Sequence, residues 1–435
     1  MLRLLTTSLS ASLVFAAGCM SNLISPSGGT HSSNAGNFKN TVFIGDSLTA
    51  GFQNGSLLDT QQPNGYANLI AKQAGFQLAL PLIAPPGAPA VLQLVSVGPP
   101  AVVRQESGTT TGRDNVTVQA TDLAVPGHRL SDLINRQPTA LPTTNEDIIT
   151  DLVLGIPGLA EGKDYSQLQW AEDLKPSTLF VWIGSNDALA AAVSGMTSSL
   201  TPVSQFTTEF TQLMQALQSK TTANLIVGNV PDITQAPYLT PGSVVLAEFS
   251  ASSHIPVAQL SAKLGIGAAD LVNPNGMQQI ESILAGKQAG PVTDSGFLTP
   301  AEVLTVQQTV DGYNAVIAQQ AAAVGATLVD LHTDLANLHD HPPTINGTPT
   351  SFAFLGGIFS LDGEHPTNTG YALVANMFID RMNAVLHTKI PDVDVSAIAA
   401  KDPLFPSNLP KAARQAMPAA AGQSLDWMMQ RGSQR

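Results

Sequence analysis

One stretch of this sequence sets a serine where a nucleophile could work. Val42-Phe43-Ile44-Gly45-Asp46-Ser47-Leu48-Thr49-Ala50-Gly51 runs from an apolar strand straight into a helix start. A hydroxyl there sits at the C-terminal edge of a sheet, the usual ligand position in open α/β folds. The helix that follows would offer free N–H groups and the positive end of its dipole. The same residues also suit a plain helix cap, because Ser and Asp are common at that position. Three more segments carry polar groups in comparable places: Asp122-Leu123-Ala124-Val125-Pro126-Gly127, Trp182-Ile183-Gly184-Ser185-Asn186-Asp187 and Asp362-Gly363-Glu364-His365-Pro366. Taken singly, each has an ordinary account: a turn glycine after Pro126, an Asx turn at Asn186, a surface loop at 362–365.

Taken in order, the segments resemble the SGNH (GDSL) hydrolase family, whose blocks are a GDSL serine, a glycine, a GxND asparagine and a DxxH pair. Here they read Gly45-Asp46-Ser47-Leu48, Gly127, Gly184-Ser185-Asn186-Asp187 and Asp362-Gly363-Glu364-His365, spread over roughly residues 40 to 390. The resemblance implies a serine esterase or lipase that cleaves carboxylic esters through an acyl-enzyme on Ser47. His365 would be the general base and Asp362 the carboxylate that orients it. The oxyanion hole would be the backbone N–H groups of Ser47 and Gly127 with the side-chain amide of Asn186. The residue types fit these tasks. A serine hydroxyl needs a base near neutral pH, and the base needs a partner that fixes its tautomer. Glycine leaves its main chain open to substrate, and an amide donates without titrating. Glu364, directly before the histidine, should point elsewhere, so Asp362 is the preferred acid; Asp187 is expected to support the loop holding Asn186. No cofactor or metal is needed. The implied substrates are lipid acyl esters, acetylated glycans or small esters. A carbohydrate O-acetyl esterase on the same site, and a non-catalytic surface binding module, are the rival readings.

The remaining composition agrees with an exported enzyme. Charged residues make up 12% and apolar residues 43% of the 435, which allows a large buried core. Net charge is −13, and no basic run could track a phosphate backbone, so nucleic acid is a poor partner. Residues 1–18 have the layout of a signal peptide: Arg3, an apolar stretch, then small residues. Cys19 is the one cysteine in the sequence, and Ala16-Ala17-Gly18-Cys19 resembles a bacterial lipobox. Lipidation at Cys19 would anchor the chain in the cell envelope, with the outer membrane favoured and no spanning helix. Residues 19–39 then read as the lipidated cysteine and a flexible Ser/Gly/Asn tether.

The elements that must position the site follow from periodicity. Short apolar runs at Thr41 to Ile44, Leu123 to Val125, Leu179 to Ile183, Leu225 to Val227 and Thr327 to Val329 read as strands buried on both faces. Helical spacing appears in Tyr66-Leu69-Ile70-Ala74, in Val310-Tyr313-Ile317-Ala321 and, after Pro366, in Tyr371-Val374-Phe378-Met382. The expected fold is a three-layer α/β/α sandwich on a five-stranded parallel sheet, the flavodoxin-like SGNH arrangement, filling residues 40–390. Insertions at about 78–117 and 235–305, the second with helical pieces at Val257 to Leu264 and Met277 to Leu284, are candidate substrate-contacting or lid regions. Residues 391–435 are rich in Ala and Pro and are expected outside the core. His332, His339, Asp340 and His341 could in principle bind zinc, but their spacing is not that of two histidines one helical turn apart, and a solvated loop between the last strand and the 362–365 segment is the preferred reading.

Overall fold

The computed structural model describes residues 37–98, 101–410 and 416–429. Cys19, the expected signal sequence and nearly all of the expected tether lie outside them. The centre is a parallel sheet of β1 (Thr41–Gly45), β2 (Thr178–Trp182), β3 (Asn224–Gly228) and β4 (Thr327–Val329), in that spatial order. Phe43 stands beside Phe180 and Phe180 beside Ile226. Side chains alternate between faces along each strand, so one run of apolar residues serves two cores. Val42, Ile44, Leu179, Val181, Leu225 and Val227 pack on one side, with the helices Gln167–Leu174, Val203–Lys220 and Pro300–Val324. Phe43, Phe180, Trp182 and Ile226 face the other side, against Tyr66–Ala74 and Asn368–Leu386. There the rings of Phe43 and Phe180 stack at 4.2 Å, and those of Tyr66 and Phe378 at 4.8 Å. Each such buried ring contributes roughly 1.5–3 kcal/mol relative to exposure. This is the expected α/β sandwich.

The expected second strand is the departure. Residues 121–125 do run parallel beside β1, with Leu123 N–H donating to Phe43 O and Val125 N–H to Gly45 O, but they form no regular strand. The next rung would take Gly45 N–H, but that N–H goes to the Gln167 side chain instead, and Pro126 ends the run. The sheet thus has four regular strands and an irregular edge.

The insertions are built pieces. The first holds an antiparallel hairpin, Leu92–Ser96 with Val102–Gln105, and is pinned by buried Arg113, which donates to the carbonyls of Ile156 and Val118. The second carries the helices Gly242–Ser253, Val257–Leu264 and Pro274–Leu284 around a small apolar core of its own, which includes Val245, Leu260 and Ile280. Two expectations fail. The 332–341 stretch is not a loop: Leu331–Asp340 is a helix, capped by the Asp330 side chain on Thr333 N–H. Nor does the C-terminal stretch lie outside the core, since Leu404, Met417, Ala421, Leu425 and Met428 are buried in the main cluster. Of these, Leu425 and Met428, three apart on one helix, are the apolar pair that the Ala/Pro-rich composition hid. Among the described residues no helix is long and apolar enough to cross a membrane.

Candidate active site

β1 delivers Ser47. At its end Gly45 is held on both backbone atoms by one side chain: Gln167 Oε1 accepts its N–H at 2.9 Å and Gln167 Nε2 donates to its carbonyl at 3.0 Å. A Cβ on Gly45 would collide with the Trp182 carbonyl and the Thr49 hydroxyl. Asp46 then caps the short helix Ser47–Ala50 by accepting from Leu48 N–H at 3.0 Å. The other Asp46 oxygen is buried without a partner. Burial, and to a smaller degree the charge of Asp187, push this acid up to about 7. Ser47 opens the helix and is 3% exposed.

The acid and base come from the loop before the helix Asn368–Leu386. Asp362 Oδ2 accepts from His365 Nδ1 at 3.2 Å and from Gly55 N–H at 2.6 Å; Oδ1 accepts from the N–H groups of Glu364 and His365 at 2.9 and 2.8 Å. Burial alone would raise the pKa of this carboxyl, but His365 beside it and these hydrogen bonds outweigh burial and hold it below its ordinary value. With Nδ1–H committed to Asp362, the ring's Nε2 is the free basic atom. Glu364 does not compete for the ring. Its carboxyl is pushed well above the ordinary range, by burial first and then by Asp362 and Asp46.

Ser47 and this loop meet through residues 52–55. Phe52 N–H donates to Ser47 O, and the Phe52 ring lies 4.6 Å from the His365 ring. Tyr371 donates its hydroxyl to Phe52 O at 2.7 Å. Asn54 accepts Leu361 N–H at 3.1 Å, and its own N–H reaches the Ser360 hydroxyl at 2.9 Å. The nucleophile's turn and the base's loop are therefore stitched together. Among the described residues no hydrogen bond joins the Ser47 hydroxyl to the imidazole; such bonds are often long in ligand-free sites and tighten in the Michaelis complex.

Gly127 and Asn186 complete the constellation. Gly127 has φ +82°, a conformation glycine adopts without strain, in the turn that follows the irregular edge segment. Asn186, in the first turn of the helix Ser185–Ser194, donates its side-chain amide to His128 O at 2.9 Å, which leaves one amide hydrogen. Asp187 accepts Leu130 N–H at 3.0 Å and is raised to about 6 by burial. His128 is fully enclosed. Gln167 Nε2 spends its second hydrogen on His128 Nδ1 at 3.1 Å, so Nε2 of that ring carries the proton and donates to the Thr150 hydroxyl, which passes its own to Glu146 O. A single amide therefore spans the serine's strand and the glycine's turn.

Residues 41–378 match the family description GDSL-like lipase/acylhydrolase. The chain belongs to that family. No curated protein matches the sequence significantly. Among solved structures, an acetylxylan esterase from Geobacillus stearothermophilus is similar at 12% identity over 80% of this chain and 95% of its own, with a TM-score of 0.36. An α/β hydrolase from the metagenome of Lake Arreo, Spain, shows 13% identity over 81% and 98%, also with a TM-score of 0.36.

In this GDSL-like acylhydrolase the sequence pointed to Ser47, Gly127, Asn186, Asp362 and His365, and missed the residues that hold them. Gln167, Asn54, Gly55 and Ser360 belong to no motif block and act through main-chain bonds, which leave no periodic trace. Gln167 alone had a signal: a polar side chain one position past a helix cap, on the face that packs against the sheet. Among the described residues no group of three or more His, Cys, Asp and Glu could hold a metal ion.

Proposed function

We propose that this chain hydrolyses a carboxylic ester through an acyl-enzyme on Ser47. The observation that carries the reading is the Asp362–His365 pair, held by four hydrogen bonds and packed through Phe52 onto the turn that bears Ser47. His365 Nε2 takes the hydroxyl proton as the serine oxygen bonds to the carbonyl carbon. The charge that develops on the carbonyl oxygen is met by the N–H groups of Ser47 and Gly127 and by the Asn186 amide, donors worth about 10²–10³ in rate each. The proton then goes to the departing alcohol. Water, deprotonated by the same ring, releases the acid. Ser47→Ala should abolish turnover of a p-nitrophenyl ester and labelling by a fluorophosphonate while the circular dichroism spectrum is retained; full turnover in that variant would refute the assignment.

We further propose export and lipidation at Cys19. Support comes from the Ala16-Ala17-Gly18-Cys19 segment and its position behind an apolar stretch. Labelled palmitate should be incorporated by the native chain in a bacterial host and not by Cys19→Ser. A mature N-terminus beyond residue 19 counts against it.

A further inference from the structure

The C-terminal residues 416–429 lie across the candidate active site. They comprise the turn Ala419–Gly422 and the helix Gln423–Met429, which packs on Asn145–Leu154 and on Ser185–Ser194, the helix that carries Asn186. This strap meets the site at three of its loops. The Met428 carbonyl stands so near Gly127 that a Cβ there would come within 2.8 Å of it. The Met417 sulfur presses on Gly363, between Asp362 and Glu364. The Ser424 side chain lies on Gly55, the residue whose N–H holds Asp362. Beneath this cover Ser47 is 3% and His365 1% exposed. Met428 thus packs directly against the main chain of Gly127, the residue read as an oxyanion donor.

The strap is held chiefly by burial of Met417, Leu425 and Met428, with polar ties that include Ala416 N–H to Glu248, Met417 N–H to the Thr240 hydroxyl and Asn145 to Trp427 O. On its outer flank runs an apolar groove of about 940 Å³, lined by Val103, Val244, Phe249 and Met277 and walled by Met417 to Ala420. Met417 thus stands between the groove and the catalytic loop. Neither that groove nor a second one of about 800 Å³ near Phe352 includes Ser47, Gly127, Asn186 or His365 in its lining.

We propose that residues 416–429 are an autoinhibitory strap: while seated they exclude an ester from Ser47, and the site turns over only when they lift away. This rests on the reading of Ser47 as nucleophile. If the open form is a minor state of about 0.1–10%, freeing the site raises turnover by about ten- to a thousandfold. The test is a full chain with a protease recognition sequence inserted after Pro410. Turnover of a short p-nitrophenyl ester and the rate of fluorophosphonate labelling at Ser47 are compared before cutting, after cutting and removal of the released peptide, and after adding back a synthetic 416–429 peptide. Both rates should rise at least about tenfold on removal and fall again on add-back. Equal rates in all three states overturn the strap and leave the hydrolase reading standing. No labelling or turnover in any state sinks both. Should the trimmed protein unfold, Leu425→Asp, a charge placed on the buried face of the strap, must raise the labelling rate in the uncut chain where the exposed Gln423→Ala does not; a rate unchanged by Leu425→Asp also overturns the strap.

Discussion

Replacing Asp362 by Asn changes one atom, and the hydrogen bonds around that atom fix the outcome. The carboxylate accepts from two N–H groups on Oδ1 and from Gly55 N–H and the imidazole on Oδ2. An amide has one accepting oxygen. Placed at the Oδ2 site, it strands the N–H groups of both Glu364 and His365. Placed at the Oδ1 site, it strands only Gly55 N–H and turns its own N–H toward the ring. A buried donor without a partner costs about 1–3 kcal/mol, so the second arrangement wins. In that arrangement the imidazole must accept at Nδ1, its proton moves to Nε2, and the nitrogen facing the serine ceases to be a base. A wrong tautomer of this kind costs about 10⁴ in kcat in serine proteases, or about 5.5 kcal/mol of barrier. Asp362→Asn should therefore lose about 10⁴ in kcat against a p-nitrophenyl ester but only about 1–3 kcal/mol of stability in urea unfolding. Glu364→Gln, which keeps the size and shape of a side chain that makes no bond to the imidazole, should keep kcat within a few-fold. A loss below about tenfold in Asp362→Asn, or losses of equal size in the two variants, would refute the assignment of the acid.

Other outcomes follow from the same contacts. Gln167→Leu leaves Gly45 N–H without its acceptor and takes from Gly45 O and from His128 Nδ1 the bonds that Gln167 makes, with Val125 N–H still on Gly45 O, so it should cost several kcal/mol by urea denaturation and lower kcat as well; a loss under about 1 kcal/mol contradicts the clamp. Asn186→Ala should lower kcat about 10²–10³-fold with KM nearly constant in steady-state kinetics, and a change confined to KM would remove the amide from the oxyanion site. Burial, opposed by the Ala124 bond, raises Asp122 from 3.8 to about 8. Between those values the unfolded chain has lost a proton that the folded chain keeps, so stability falls as pH rises. Asp122→Asn removes that slope and should gain on the native chain between pH 5 and 8, by up to about 1.4 kcal/mol per pH unit; parallel pH profiles in urea unfolding would argue against it.

Much of this architecture was legible because its signals are local. The strands β1 to β4 and the helices Tyr66–Ala74 and Asn368–Leu386 stand where apolar runs and helical spacing put them, since a strand buried on both faces has few alternatives to an unbroken apolar run. Residues 121–125 were apolar enough to read as a strand, but the Gln167 side chain takes the Gly45 N–H that would continue the pairing, and the ladder breaks there. The 332–341 stretch looked like a loop because histidines and acids dominate it, while Leu331 and Leu335, four apart, supply the packing face. The C-terminal stretch was hidden by composition: Ala and Pro suggested a loose end, whereas Leu425 and Met428 are fully used as cover. In the candidate site, the chemistry-bearing residues were visible as motif blocks. Their supports were not, because Gln167 and Asn54 act on backbone atoms far away in sequence.

The seam between residues 52–55 and 358–365 joins positions as much as 307 apart. On the proposed reading, the nucleophile and its base are therefore synthesised more than three hundred residues apart. A chain stopped before His365 should then show no turnover, however well its early strands and helices have formed. On that reading turnover would be a stricter gauge of completed folding than any spectroscopic count of helix and strand.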